Sequence, residues 1–422
     1  MAYIFAAPSE LFSAWLTFFG PTQEPGITLG IRLEVFLVMI GVAIYFWQTT
    51  KNFAKTLIFP LLTYTVIFFW VSLPSVFAWL SGMDVFVLFF DLPAQSIPLQ
   101  HIFHPGTQPI SAPRAHELIF NAAISQAALF AIIPLIIIYG RLCWRNIVQA
   151  VWRNKRPWRI MHYLIIGGVG ILVGTSADAV DLVSIYDYAA IFFFALSIIF
   201  AWLFAVGIND LVDVDIDAVS NKDRPLITRK ISVSQMKQTN VLLFILMLLT
   251  GYLAGHHTLF AILTFTGAYY VYSAPPLRLK RIPGVQSILV AFATVAIFVG
   301  GFFLLSASQT ADLLPLDLTL MILLIFALVV NVKDLKDIDG DRAAGIATLP
   351  VILGMEKAQQ VIGTFIAASF LLLGWMFDIA LGLNLVFAVL SFLAVQKTPY
   401  DERRTFGLYF LYVAIALAIQ FL

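Results

Sequence analysis

The chain has 422 residues, of which 61% are apolar and 12% charged, with a net charge of +1. Soluble domains are about 45–50% apolar and about 25% charged, so this balance excludes an ordinary soluble enzyme, a disordered chain and a nucleic-acid binder. One cysteine, Cys143, excludes a disulfide scaffold, a zinc cluster and iron–sulfur ligation.

The mean hydropathy of +0.92 predicts many membrane spans. Residues 1–19 have no basic start, and Glu10 interrupts the apolar run, so no cleavable signal peptide is expected. Pro8-Ser9-Glu10 reads as the start of a helix lying on the interface. A span needs about 20 apolar residues. Twelve are predicted, at 30–48, 56–73, 119–140, 160–176, 188–208, 239–255, 257–272, 284–305, 316–332, 359–377, 380–396 and 405–421. The run 75–90 follows Pro74 and contains Gly82 and Asp84, which predicts a re-entrant or interfacial segment.

From Arg141 onward the Lys and Arg residues fall in alternate loops: 141–159, 222–237, 278–281, 333–357 and 397–404. The positive-inside rule makes these loops cytoplasmic. The polar stretch Arg153-Asn-Lys-Arg-Pro157 predicts a boundary between about three N-terminal spans (1–150) and nine further spans (151–422).

Nine of the 24 acidic residues occupy two windows on that same side. The first holds Asn209, Asp210, Asp213, Asp215 and Asp217, followed by Asp223. The second holds Asp334, Asp337, Asp339 and Asp341. Asp210, Asp213 and Asp217 stand at i, i+3, i+7, as do Asp334, Asp337 and Asp341, so each set shares one helical face. The spacing recurs 124 residues apart, which predicts an internal duplication bringing two acidic helix ends together. Two carboxylates ~6 Å apart at a dielectric near 20 repel by about 3 kcal/mol. Six would need protons, solvent or hard cations. Mg²⁺ sharing the carboxylates with a diphosphate fits best, because Mg²⁺ favours phosphate oxygens as co-ligands.

Basic groups on the same face would meet that diphosphate: Lys222 and Arg224, then Arg278, Lys280 and Arg281, then Lys333, Lys336 and Arg342. The prolines beside Arg224 and Lys280 make those two the leading contacts, and Pro275-Pro276 should hold Tyr272 and Lys280 in a fixed bend. His101 and His104 have a metal-compatible spacing but lack an evident third ligand. Asp178, Asp181 and Asp187 read as a solvated loop on the opposite side.

With these motifs the sequence resembles the UbiA superfamily of intramembrane prenyltransferases. The pattern NDxxDxxxD is matched by Asn209, Asp210, Asp213 and Asp217, and DxxDxxxD by Asp334, Asp337 and Asp341. Asn221-Lys-Asp-Arg-Pro225, the Tyr272–Lys280 loop and Arg342–Pro350 also resemble the family, over about 155–422. The resemblance implies an all-α integral membrane fold, a nine-helix bundle here preceded by about three additional transmembrane helices. It implies Mg²⁺ bridging both motifs to the diphosphate of a prenyl donor. The metal set would be Asp210, Asp213, Asp217, Asp334, Asp337 and Asp341. Lys280 and Tyr272 would join Asp210, Asp213, Asp334 and Asp337 in catalysis, with Asn209, Lys222, Arg224, Arg278, Lys336 and Arg342 binding substrate.

The expected reaction is transfer of a polyprenyl group to a small acceptor within the bilayer, an aromatic ring precursor leading. Its partners are the prenyl diphosphate, the acceptor and the lipid bilayer, with no nucleic acid. Two alternatives stand beside it: phosphoribosyl transfer to a polyprenyl phosphate, and divalent-cation transport.

Overall fold

The computed structural model describes residues 8–20, 27–102, 112–178, 182, 184–306, 308 and 310–421; side chains at 100–102, 112–116, 220 and 420–421 are not among those described. The His101–His104 pair and Asp181 therefore lie outside the described residues. Among the described residues the fold is helical throughout, without strands. It divides into two units, 1–138 with 182–189, and 139–181 with 190–422.

The first unit holds α1 (Pro8–Leu16), α2 (Leu29–Thr50), α3 (Phe53–Val71), α4 (Leu73–Ser81), α5 (Leu92–Gln95), α6 (Ile97–Ile102) and most of α7 (Ala112–Cys143). Lys51 closes α2 in the left-handed conformation, and the Asn52 side chain caps α3 by accepting from the Lys55 N–H. That tight connection folds α3 back on α2, with Phe46 stacked on Phe59 at 4.0 Å. Tyr64 donates to the Trp15 carbonyl at 2.7 Å and ties α1 to α3. The predicted non-crossing run 75–90 overlaps α4 (Leu73–Ser81), nine residues long, which stops at Gly82 with φ +68°. At 1.5 Å per residue α4 spans only about 14 Å, too short to cross.

The second unit holds α8 (Arg145–Arg153), α9 (Pro157–Asp178), α10 (Ile185–Val212, from residue 190), α11 (Val214–Ser220), α12 (Val233–Ala254), α13 (His256–Ser273), α14 (Val285–Leu304), α15 (Leu316–Val329), α16 (Ile338–Ala343), α17 (Leu349–Leu353), α18 (Met355–Met376), α19 (Leu381–Gln396) and α20 (Glu402–Phe421). Each of the twelve predicted spans falls on a helix. Among the described residues, nine helices across both units are long and apolar enough to cross a membrane. α19, at 16 residues, is shorter, and α13 and α20 are not among the nine.

Small residues set the packing of α9 against α14. A Cβ on Gly170 would overlap the Phe298 carbonyl oxygen, one on Gly174 that of Phe302, and one on Gly301 that of Gly167. Lipid tails offer no hydrophobic drive between helices, so such close backbone approach is the usual source of helix association. A second core joins α18, α19 and α20. Tyr412 meets Phe370 and Phe387 edge to face and donates to Asn384 at 2.8 Å.

Candidate active site

The two acidic windows have the same backbone. α10 runs to Val212, breaks at Asp213 (φ −100°, ψ 20°) and resumes as α11. α15 tightens into a 3₁₀ turn over Val330–Lys336, breaks at Asp337 (φ −101°, ψ 6°) and resumes as α16. Across the first break the helical hydrogen bonds persist: the Asp213 N–H donates to Asn209 O at 2.9 Å, and Asp217 N–H to Asp213 O at 2.8 Å. The carboxylates thus keep their i, i+3, i+7 face through the kink. Asp215 and Asp339, off that face, are exposed.

A cavity of about 200 Å³ lies between these helices. Asn209, Asp213, Asp217, Tyr272, Lys280 and Asp334 border it, as do Arg224, Asp337 and Asp341. α11 and α16 also meet through Asn221, whose amide donates to Asp217 at 3.0 Å and to Asp337 at 3.2 Å.

The two motifs differ in electrostatics. Asp213 is paired with Arg278 at 2.7 Å and with Lys280. Asp210 lies beneath the cavity wall, 3.4 Å from Arg224 and 3.6 Å from Arg156, and accepts from Asn154. Asn154 in turn accepts from Arg224. Asp217 has Arg224 at 3.8 Å. Among the described residues no Lys or Arg lies within ion-pair distance of Asp334, Asp337 or Asp341; Asp334 accepts from Gln286 at 3.0 Å. Burial, then the neighbouring Asp334 and Asp337, push the Asp341 carboxyl up to about 7. Burial, partly offset by Arg224, pushes Asp217 up to about 6. Burial also lowers Lys280 despite the attraction of Asp213.

Four expected contacts stand apart, Arg278 among them: it pairs with Asp213 but does not border the cavity. Lys222 and Arg342 are exposed and do not border the cavity, and Arg342 reaches only Asp339, at 3.9 Å. Lys336 pairs with Glu402 at 3.0 Å.

Of the other cavity residues, the sequence named Lys333 among the basic groups but did not single out Arg156, Arg159, Gln286 or Glu402. Arg159 lines the cavity and pairs with Glu402 at 2.9 Å. Lys333 donates to Tyr272 Oη at 2.8 Å. Arg156 and Gln286 complete the polar end. The one available signal was that Arg156 and Arg159 sit at the very start of a span, where charge tends to face the protein interior. The remaining wall is aromatic and apolar. Trp202 and Tyr269 meet edge to face at 5.6 Å, Tyr163 bonds Tyr269 through their hydroxyls, and His162 packs on Phe326 at 4.7 Å. Among the described residues no group of three His, Cys, Asp or Glu could hold a metal ion by itself.

The model of the UbiA prenyltransferase family matches residues 164–415, which includes both acidic windows. The chain belongs to the UbiA prenyltransferase family. As a UbiA-family chain it is 31% identical over 193 residues to digeranylgeranylglyceryl phosphate synthase of Natronomonas pharaonis, covering 42% of this chain and 64% of that protein. It is 34% identical over 161 residues to chloroplastic chlorophyll synthase of Arabidopsis thaliana, covering 36% and 41%. The chain thus spans between 41% and 64% of the length of these curated relatives. The solved structure of a UbiA homolog from Archaeoglobus fulgidus bound to GPP and Mg²⁺ superposes with a TM-score of 0.50 at 24% identity, covering 64% of this chain and 99% of that one. This likeness establishes the all-helical UbiA fold. Together with the apolar helices it makes the chain a multi-pass integral membrane protein.

Proposed function

We propose that this chain is a Mg²⁺-dependent prenyltransferase, moving a polyprenyl group from a prenyl diphosphate to a small acceptor, with an aromatic ring leading. The observation that carries the reading is one cavity, bordered by acidic and by aromatic side chains, that both halves of a repeated carboxylate motif line.

The donor set fits a hard cation shared with phosphate. Each motif offers only oxygen ligands, and the Asn221 amide holds Asp217 and Asp337 close together. Among the described residues no three carboxylates stand close enough to hold a metal by themselves, which suits an ion whose remaining ligands are diphosphate oxygens and water. Mg²⁺ bound there would neutralise charge on the departing diphosphate. In this reading Asp334, Asp337 and Asp341, which have no Lys or Arg within ion-pair distance among the described residues, take the cation. Lys280 and Arg224, at the cavity wall, are held in place by the first motif and offer their remaining donors to phosphate, while Arg278 holds Asp213. Tyr272 orients the Lys333 ammonium toward the same end. Trp202, Tyr269 and their neighbours exclude water and face positive charge developing on the allylic carbon with ring faces. Loss of diphosphate through the C–O bond, and capture of that carbon by an electron-rich acceptor, follow from this division. The charge of the basic loops supports a cytoplasmic position for this end of the cavity. Residues 1–150 form, in this reading, an N-terminal membrane extension of about three spans, distinct from the catalytic helices.

The relatives' names supply the acceptors to try, homogentisate and glyceryl phosphate lipids among them. The test measures thermal stability of the purified chain with geranyl and geranylgeranyl diphosphate, with and without Mg²⁺, alongside transfer of labelled prenyl groups to those acceptors. Mg²⁺-dependent stabilisation and labelled product support the reading. Stabilisation by phosphoribosyl diphosphate alone, or by cation alone with ion flux across vesicles, overturns it.

A further inference from the structure

Helix α8 joins two spans, α7 and α9, and so lies by connectivity at one membrane surface. One side of it is committed: Ala150, with Ile147, packs on Ile231 and Met236. Residues 141–146, Gln149, Trp152 and Arg153 are exposed, and the sequence has no acid from Tyr139 to Arg159. Arg141, Arg145 and Arg153 are exposed, and among the described residues none has a carboxylate within ion-pair distance. Three large rings stand among them. Trp152 is 68% exposed with the Lys155 ammonium 3.3 Å above its ring. Trp144 is exposed and meets exposed Tyr139 edge to face at 5.7 Å. The contact of Ile231 with Ala150 brings a second basic pair, exposed Arg229 and Lys230, to the same place.

We propose that α8 and the 229–230 turn form a binding surface for anionic phospholipid headgroups. Unpaired guanidinium groups supply bidentate donors for phosphate, and amphipathic Trp and Tyr rings settle at headgroup depth. Long basic side chains lay their stems along apolar surface while the charge reaches the headgroup. Charges that serve only to orient the chain during insertion would show no lipid preference once the protein is folded, and that difference makes the idea testable.

The full-length purified chain is titrated with phosphatidylglycerol and, separately, phosphatidylcholine of the same acyl chains, and bound lipid is counted by native mass spectrometry. The wild type should retain phosphatidylglycerol preferentially. Juxtamembrane basic residues contribute about fivefold each near an anionic surface, so R145Q and R153Q should each lower retention by about that factor. R145K and R153K should keep most of it, separating loss of charge from damage to the fold. Equal retention of the two lipids by the wild type overturns the proposal, as does unchanged retention in the Gln variants. Displacement of phosphatidylglycerol by millimolar inorganic phosphate overturns it too, by assigning the surface to free phosphate. None of these outcomes depends on the prenyl-transfer reading.

Discussion

The Asn221 side chain donates to Asp337 across 3.2 Å, although 116 positions of chain separate them. The same nitrogen donates to Asp217, so one neutral amide spans the two acidic motifs. An amide suits that place because it lowers carboxylate repulsion without introducing a charge that would compete with a cation.

Asn221→Ala removes both bonds. A hydrogen bond to a charged group contributes about 1.5–3 kcal/mol. The apparent Kd for geranyl diphosphate with Mg²⁺ should weaken at least about tenfold, read from ligand-dependent thermal shifts. An unchanged Kd would show that the motifs hold their spacing without it.

The two kinked aspartates should respond differently to the same change. Asp213→Asn leaves Arg278 and Lys280 facing each other without their carboxylate. Breaking a buried pair this way costs about 3–5 kcal/mol, so both the melting temperature and transfer should fall. Asp337→Asn loses no ion pair. Its melting temperature should stay within a few degrees of wild type while transfer drops about a hundredfold or more. Equal loss of stability in both would refute the electrostatic asymmetry of the motifs.

Metal-free protein should lose stability as pH rises from about 5 to 8. The folded Asp341 and Asp217 carboxyls titrate near 7 and 6, above ordinary carboxylates. The folded state therefore holds more protons than the unfolded state through this window, and stability falls with pH. Asp341→Asn should flatten the slope of melting temperature against pH. A slope that rises, or one indifferent to the substitution, would contradict the assignment.

Gly170→Ala should be strongly destabilising, because its Cβ would overlap the Phe298 carbonyl oxygen and force α9 away from α14. Gly168→Ala, on the same helix with nothing within 4 Å of the added carbon, serves as the control and should match or exceed wild type. Parallel melting curves in detergent decide it. Comparable losses in both would mean that close packing of these helices is not what holds them.

Much of this protein is local, and local features are readable from sequence. Bilayer thickness dictates span length, so apolar runs mark the helices. The i, i+3, i+7 spacing of Asp210, Asp213 and Asp217, repeated at Asp334, Asp337 and Asp341, is a one-dimensional pattern that survives folding, including the shared kink at Asp213 and Asp337. Which charges meet the cavity depends on how distant helices rotate against one another. Lys222 and Arg342 sit beside the motifs in sequence yet face away from the cavity, while Arg159 and Glu402, 243 residues apart, pair at its wall. Neighbours in sequence share a loop but not a direction, and only the packing of α9, α10, α14 and α20 decides which of them turn inward. The same holds for neutralisation: the acids of the first motif are paired and those of the second are left to other partners, because the cations that settle the difference arrive from Arg156 just before α9, from Arg224 in the loop after α11 and from the turn after α13.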